Sequence, residues 1–372
     1  MPCPFCHSPT ARDAKVCRVC GGPLRATGAA NAGAPTPKTP ASPVLALPLI
    51  VTVPAPVAAA PVLLARKMLD ENTPRIASVG FCGGQNPTIG LALETGAIQL
   101  WDAHSDVSTF CGARIFRKPG PVCCAAFAPN LVATGHECGQ VRLHALDCKN
   151  GDWKGRVLKS PAPHLGRVLA LAITPTQLYS GGSDGAIAVT TVCAGERLKR
   201  GQSRVLLDGL SAMTTWALSP DGASLAVGGD NGAVQLWRLE ADETPPRLDW
   251  TSRKLGAPVR SLAFSPNGAM LIGRSAEGRL CLWAVQSGYP LPLAPRAQNS
   301  AVAPVFAADS RLLALVNVRG GVDIVDVGMD ALLHELPPLG ETARFVAFAP
   351  DESATLLVVA GAREAGVWQI GV

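Results

Sequence analysis

The stretch VRSLAFSPNGAMLIGRSAEGRLCLWAV, residues 259–285, alternates apolar and polar side chains and then breaks at Pro266-Asn267-Gly268. A short apolar run follows, then a second break at Gly278 and a second alternating run. A period of two marks strands, and clusters of Pro, Asn, Asp and Gly mark the turns between them. The reading is three short strands, with a more variable fourth before the next stretch of the same kind.

That stretch is one of seven. A glycine followed by apolar residues at +2 and +4 recurs at Gly96, Gly139, Gly185, Gly232, Gly278, Gly320 and Gly366, at intervals of 43, 46, 47, 46, 42 and 46 residues. A second marker moves with the first: Phe81, Phe127, Ile173, Leu218, Phe264, Phe306 and Phe348 each end an apolar strand. Five of them are followed two residues later by proline. Two independent markers in step over seven periods identify a repeat architecture.

The third-strand segments GAIQLWD (96–102), GAVQLWRL (232–239) and GRLCLWAV (278–285) resemble WD40 repeats, although only Trp101-Asp102 keeps the full Trp-Asp pair. The resemblance covers about residues 60–372 and implies an all-β, seven-bladed WD40-like β-propeller. It also implies how the ring closes. The last copy ends on its third strand, so the missing outer strand is expected from upstream, at PVLLARKML (61–69).

Residues 180–185, SGGSDG, contain the Gly-x-Ser-x-Gly pattern of a nucleophile elbow at Gly181, Ser183 and Gly185. An elbow needs a helix after the turn, and none is indicated here. The stretch reads instead as the turn between the second and third strands of copy three. Ser180, His164 and Asp184 look like catalytic partners; the family resemblance assigns such a trio to a structural hydrogen-bond network. That network normally ends on a Trp, here replaced by Thr190, so it is expected to be incomplete. No catalytic residues are assigned.

Upstream of the repeat the composition changes twice. Cys3, Cys6, Cys17 and Cys20 form two C-x2-C knuckles separated by ten residues, the spacing of a tetrahedral zinc site. Four thiolates fill the shell, so one structural Zn2+ is expected, in a ribbon spanning residues 1–25 that the metal itself folds. Residues 26–59 read as a Pro/Ala-rich linker, with eight prolines between Pro35 and Pro61. The uncharged stretch 43–65 is long enough to cross a bilayer, but its prolines would break the helix repeatedly. A membrane tether there is the alternative to a cytoplasmic protein.

Net charge is +5, of which residues 1–38 hold +4 and residues 66–372 only +1. The propeller region therefore has no extended phosphate-binding face unless its charges are locally clustered. The eight remaining cysteines lack paired spacing and read as buried, reduced thiols. The expected function is a non-catalytic scaffold for protein partners. If the face that WD40 propellers usually employ is used, His136, His164, Arg167, Asp230, Arg260, Glu277 and Arg344 would contribute. The alternative is DNA or RNA binding through residues 1–38, whose +4 falls to +2 once four thiolates and Zn2+ are counted.

Overall fold

The computed structural model describes residues 60–371, except for 83–87, 112–119, 150–151, 159–163, 193–202, 211, 241–243, 294–299, 301, 330 and 351–355. The proposed ribbon (1–25), with Cys3, Cys6, Cys17 and Cys20, and the linker (26–59) lie outside the described residues. One compact unit runs from Ala58 to Val372.

The described residues form seven four-stranded antiparallel sheets. Strand β1 (Val62–Met68) comes first. Blade 1 holds β2 (Ile76–Phe81), β3 (Thr88–Leu93), β4 (Ile98–Asp102) and β5 (Ser108–Cys111). Blade 2 holds β6 (Val122–Ala128), β7 (Leu131–His136), β8 (Val141–Lys149) and β9 (Asp152–Leu158). Blade 3 holds β10 (Val168–Ile173), β11 (Gln177–Gly182), β12 (Ile187–Thr191) and β13 (Ser203–Leu207). Blade 4 holds β14 (Met213–Leu218), β15 (Ser224–Gly229), β16 (Val234–Arg238) and β17 (Arg247–Ser252). Blade 5 holds β18 (Val259–Phe264), β19 (Met270–Ser275), β20 (Leu280–Ala284) and β21 (Pro290–Leu291). Blade 6 holds β22 (Val305–Phe306), β23 (Leu312–Val316), β24 (Val322–Asp326) and β25 (Ala331–Leu336). Blade 7 takes β26 (Phe345–Phe348), β27 (Leu356–Ala360) and β28 (Glu364–Gln369) from the C-terminal end and β1 from the other.

The closure expected from residues 61–69 is present. Strand β1 pairs antiparallel with β28 from Val62↔Gln369 to Met68↔Glu364. The same pairing takes residues 62–65 out of the uncharged stretch 43–65 and into a sheet; residues 43–59 lie outside the described residues. Among the described residues no helix is long and apolar enough to cross a membrane.

The core is a circle of seven clusters, one between each pair of adjoining blades. Ala92, Ile98 and Leu100 of blade 1 meet Val132 and Leu146 of blade 2, and the circle ends where Val358, Ala360 and Val367 of blade 7 meet Ile89, Leu91 and Trp101 of blade 1. Each middle strand is therefore buried on both faces. This is why LLALV (312–316) is apolar throughout and fully buried instead of alternating. Neighbouring residues split between two clusters: Leu271 faces blade 4 while Ile272 faces blade 6.

Six of the seven marker glycines sit in the turn before the third strand with φ between 75° and 86°. At Gly139 two constraints coincide. Its φ is +81°, and a Cβ there would overlap the carbonyl oxygen of His164 in the next blade. Only glycine satisfies both. The seventh marker is a correction: Gly366 lies inside β28, opposite Val359 and Arg66. Blade 7 turns through a shorter hairpin, closed by the Gly361 N–H donating to the Glu364 carbonyl at 2.8 Å. With the three-residue glycine turn gone, Trp368 is the residue that matches Trp101, since Trp368 pairs with Leu357 as Trp101 pairs with Ile89.

Candidate functional site

In blades 1–5 the innermost strand carries a β-bulge at its start, whose extra residue is Ala77, Cys123, Leu169, Thr214 or Arg260. A bulge re-aims its side chain away from the regular pleat. The turn before each third strand docks on this same end. The N–H groups of Glu94, Glu137, Ser183, Asp230 and Ala276 donate to the carbonyls of Arg75, Pro121, Arg167, Ala212 and Pro258, at 2.7–3.1 Å. The end of the ring so formed is rigid in backbone and variable in side chain, the combination a docking face requires.

Five of the seven expected contact residues, Arg167, Asp230, Arg260, Glu277 and Arg344, are on this end and exposed. His136 and His164 are corrections. They are 0% and 4% exposed, and both are committed to internal hydrogen bonds. His136 Nδ1–H donates to the Gly120 carbonyl at 2.8 Å, which leaves Nε2 to accept from the Thr134 hydroxyl at 3.1 Å. Thr134 in turn faces His144 Nε2 at 3.4 Å. In blade 3, His164 Nδ1 faces Asp184 Oδ1 at 3.2 Å and Nε2 faces Ser180 Oγ at 2.9 Å.

The blade 3 trio has the connectivity of a catalytic triad and none of its access. Ser180 is 2% exposed, and β12 follows the turn where an elbow would place a helix. Its second half is missing as expected, because Thr190 bonds Ser203 at 2.6 Å instead. Burial pushes the Asp184 carboxyl up, but N–H donation from Leu165 and Ala186 and the His164 ring outweigh it and hold it below its ordinary value. Blade 2 uses the equivalent positions differently: Thr134 stands in the place of Ser180, and His144 in the place of Thr190.

Burial, then the neighbouring charges of Arg142 and His136, bring His144 from its ordinary 6.5 to about 4. Between these values the unfolded chain binds the proton and the folded chain does not. The contribution to stability is therefore complete above pH 6.5 and lost as pH falls toward 4. From pH 7.5 to 4.5 the unfolding free energy obtained from urea titration is expected to fall on the order of 2–3 kcal/mol more in the wild type than in His144→Gln. Parallel profiles would remove His144 as the cause.

The buried-thiol reading holds for Cys82 alone among the described free cysteines, while Cys123, Cys124 and Cys281 are half-buried. Burial pushes the Cys124 thiol up to about 12 and Cys281 to about 11. Cys138, in the blade 2 turn, is exposed and corrects the expectation for that residue. Among the described residues no group of three or more His, Cys, Asp or Glu side chains could hold a metal. Blade 4 also bears a shallow opening lined by Leu210, Met213, Val227, Asn231 and Gln235.

The model of the WD domain, G-beta repeat, matches residues 204–238 and 251–284. Both matches begin in the outer strand of one blade, β13 or β17, and end in the third strand of the next. That one-strand offset between sequence repeat and blade is what β1 resolves at the closure. The domain is a seven-bladed WD40-type propeller. A WD40-type propeller of this kind is a protein-interaction domain.

Similar proteins extend the comparison. The chain is 29% identical over 214 residues to "Cell division cycle 20.5, cofactor of APC complex" of Arabidopsis thaliana, covering 55% of this chain and 45% of that protein. It is 26% identical over 133 residues to "Protein LST8 homolog" of Drosophila melanogaster, covering 32% of this chain and 41% of that one. "Protein hir-1" of Neurospora crassa is 36% identical over 81 residues, 20% of this chain and 8% of that protein. The chain thus spans less than half the length of these relatives.

Sequence reading missed Arg274 and Arg279, which join Arg260 on the WD40 propeller's blade 5. The signal was available as local charge density: residues 253–279 hold five basic side chains and one acidic.

Proposed function

We propose that this chain is a non-catalytic scaffold that brings protein partners together on the propeller end carrying Arg167, Asp230, Arg260, Glu277 and Arg344. The observation that supports this most directly is the closed circle of seven inter-blade cores beneath exposed, charged turn residues. Little order is lost when a partner docks on a surface already fixed from below. The Arabidopsis relative, named as a cofactor of a complex, fits the same reading.

The second element of the proposal is a structural zinc held by Cys3, Cys6, Cys17 and Cys20. Its support is the spacing of the four thiols, which fills a tetrahedral shell with no position left for water or substrate. The zinc would fold the N-terminal segment as a second contact module.

Affinity capture from the native host, comparing the wild-type chain with one in which Arg167, Asp230, Glu277 and Arg344 are all changed to alanine, tests the first element. The wild type is expected to retain partners that the variant loses, and identical partner sets would remove this end of the ring from the account. Metal analysis of the full chain tests the second. About one zinc per chain is expected, released by thiol modification and absent from Cys17→Ser/Cys20→Ser. Salt-sensitive retention of the full chain on DNA, abolished by the same cysteine changes, would favour nucleic acid as the ribbon's partner.

A further inference from the structure

Residues 253–279 carry Arg253, Lys254, Arg260, Arg274 and Arg279 against Glu277, a net +4 in a propeller region whose total is +1. The fold puts three of these charges on neighbouring segments of blade 5, since Val259 pairs with Ser275 and the Ser275 N–H donates to the Arg279 carbonyl at 2.9 Å. Arg260 is the bulge residue of β18, re-aimed from the pleat and exposed. Arg274, from the adjoining β19, is half-buried, and its Nε donates to the Ser300 carbonyl at 2.7 Å. Burial first, and the Arg260 charge second, push its guanidinium below the ordinary value, which places the two side chains within electrostatic reach. Arg279 lies beside Gly256, where a Cβ would stand 4.0 Å from its Nη1. Among the described residues Arg253, Lys254, Arg260 and Arg279 form no ion pair.

Like charges held close repel one another and raise the free energy of the unbound surface, so an anion that joins them is bound with that repulsion relieved. We propose that blade 5 is the docking site for an acidic peptide segment of a protein partner, its carboxylates paired with the Arg260 and Arg279 guanidiniums. The proposal rests on the interaction reading above and names its chemistry.

Guanidinium forks match carboxylates in two-point geometry. A nucleic-acid backbone fits less well. It presents a regular line of phosphates, and the blade 4 turn carries exposed Asp230. Arg260 and Arg279 both belong to blade 5, a span suited to a short run of carboxylates.

The test uses the full chain and fluorescein-labelled hexaglutamate, followed by anisotropy at 50 mM and 300 mM salt. Saturable, salt-weakened binding is expected, reduced roughly tenfold or more in Arg260→Ala/Arg279→Ala and changed less than about twofold in Arg319→Ala. Thermal melting of the double variant controls for folding; both side chains are exposed, so it should match the wild type. Undiminished hexaglutamate binding by the folded double variant overturns the proposal. So does tighter binding of a twelve-nucleotide single-stranded DNA through the same two arginines. Partner capture that survives the double variant leaves the scaffold standing and removes the acidic-peptide site; hexaglutamate binding through both arginines without any captured partner does the reverse.

Discussion

A chain beginning at Asp70 is expected to unfold at lower urea than one beginning at residue 60, with a loss of about 3–6 kcal/mol. Strand β1 supplies the outer strand of blade 7, and its removal exposes the edge of β28 along six paired positions. It also takes away Arg66, which pairs with Glu364. That carboxylate is 1% exposed, and breaking a buried pair by deleting one partner costs about 3–5 kcal/mol when both groups are inside. The Arg66 side chain is 48% exposed, which places this pair toward or below the lower end. A second tie is lost with Lys67, whose Nζ lies 3.2 Å from Asp106 Oδ1, the acceptor for Trp101 Nε1 at 3.0 Å.

The turn after β1 is anchored from the other terminus. Arg363 Nη1 donates to the carbonyls of Asp70, Glu71 and Thr73 at 2.8–3.2 Å. These contacts remain in the shortened chain, so the expected result is a destabilised ring and not an unfolded one. A synthetic peptide of residues 60–69 should restore the midpoint when added in excess, as any ligand of the folded state does. Equal midpoints for the two chains would mean that β1 closes nothing.

Trp283→Ala is expected to cost about 3–5 kcal/mol. Trp283 is 0% exposed and fills the cluster between blades 4 and 5, against Leu236, Leu262 and Leu271. Its Nε1 donates to Ser252 Oγ at 3.0 Å, and its ring meets Trp250 at 6.5 Å between centroids. Gly273 is part of the same fit, since a Cβ there would come within 2.8 Å of the indole. Trp237→Ala should cost less, because Trp237 is only half-buried and its Nε1 has no hydrogen-bond partner among the described residues. Urea unfolding of both variants decides it: equal losses would show that the two positions pack alike and that the blade 4–5 cluster has no special dependence on Trp283.

The sequence by itself determined the number of blades, the ends of the first strands and the closing strand. Each follows from local rules: Phe81 through Phe348 mark where an apolar strand meets a turn, and Gly96 through Gly320 mark where φ must be positive. Such features repeat because every blade solves the same backbone problem, and repetition makes them legible. The seventh glycine misled for the same reason, since a shorter hairpin at Gly361–Glu364 left Gly366 at the expected spacing by coincidence.

Tertiary structure alone decided which polar residues face outward. His136, two residues before an exposed cysteine, reads in sequence as a turn residue; its ring turns inward because Gly120 and Thr134 wait there to bond it. Arg260, Arg274 and Arg279 are spread over twenty residues of sequence and reach neighbouring segments of one blade only when β18, β19 and the turn after β19 fold side by side. Backbone geometry is written locally, residue by residue. Burial and charge proximity are properties of pairs distant along the chain, and no spacing rule contains them.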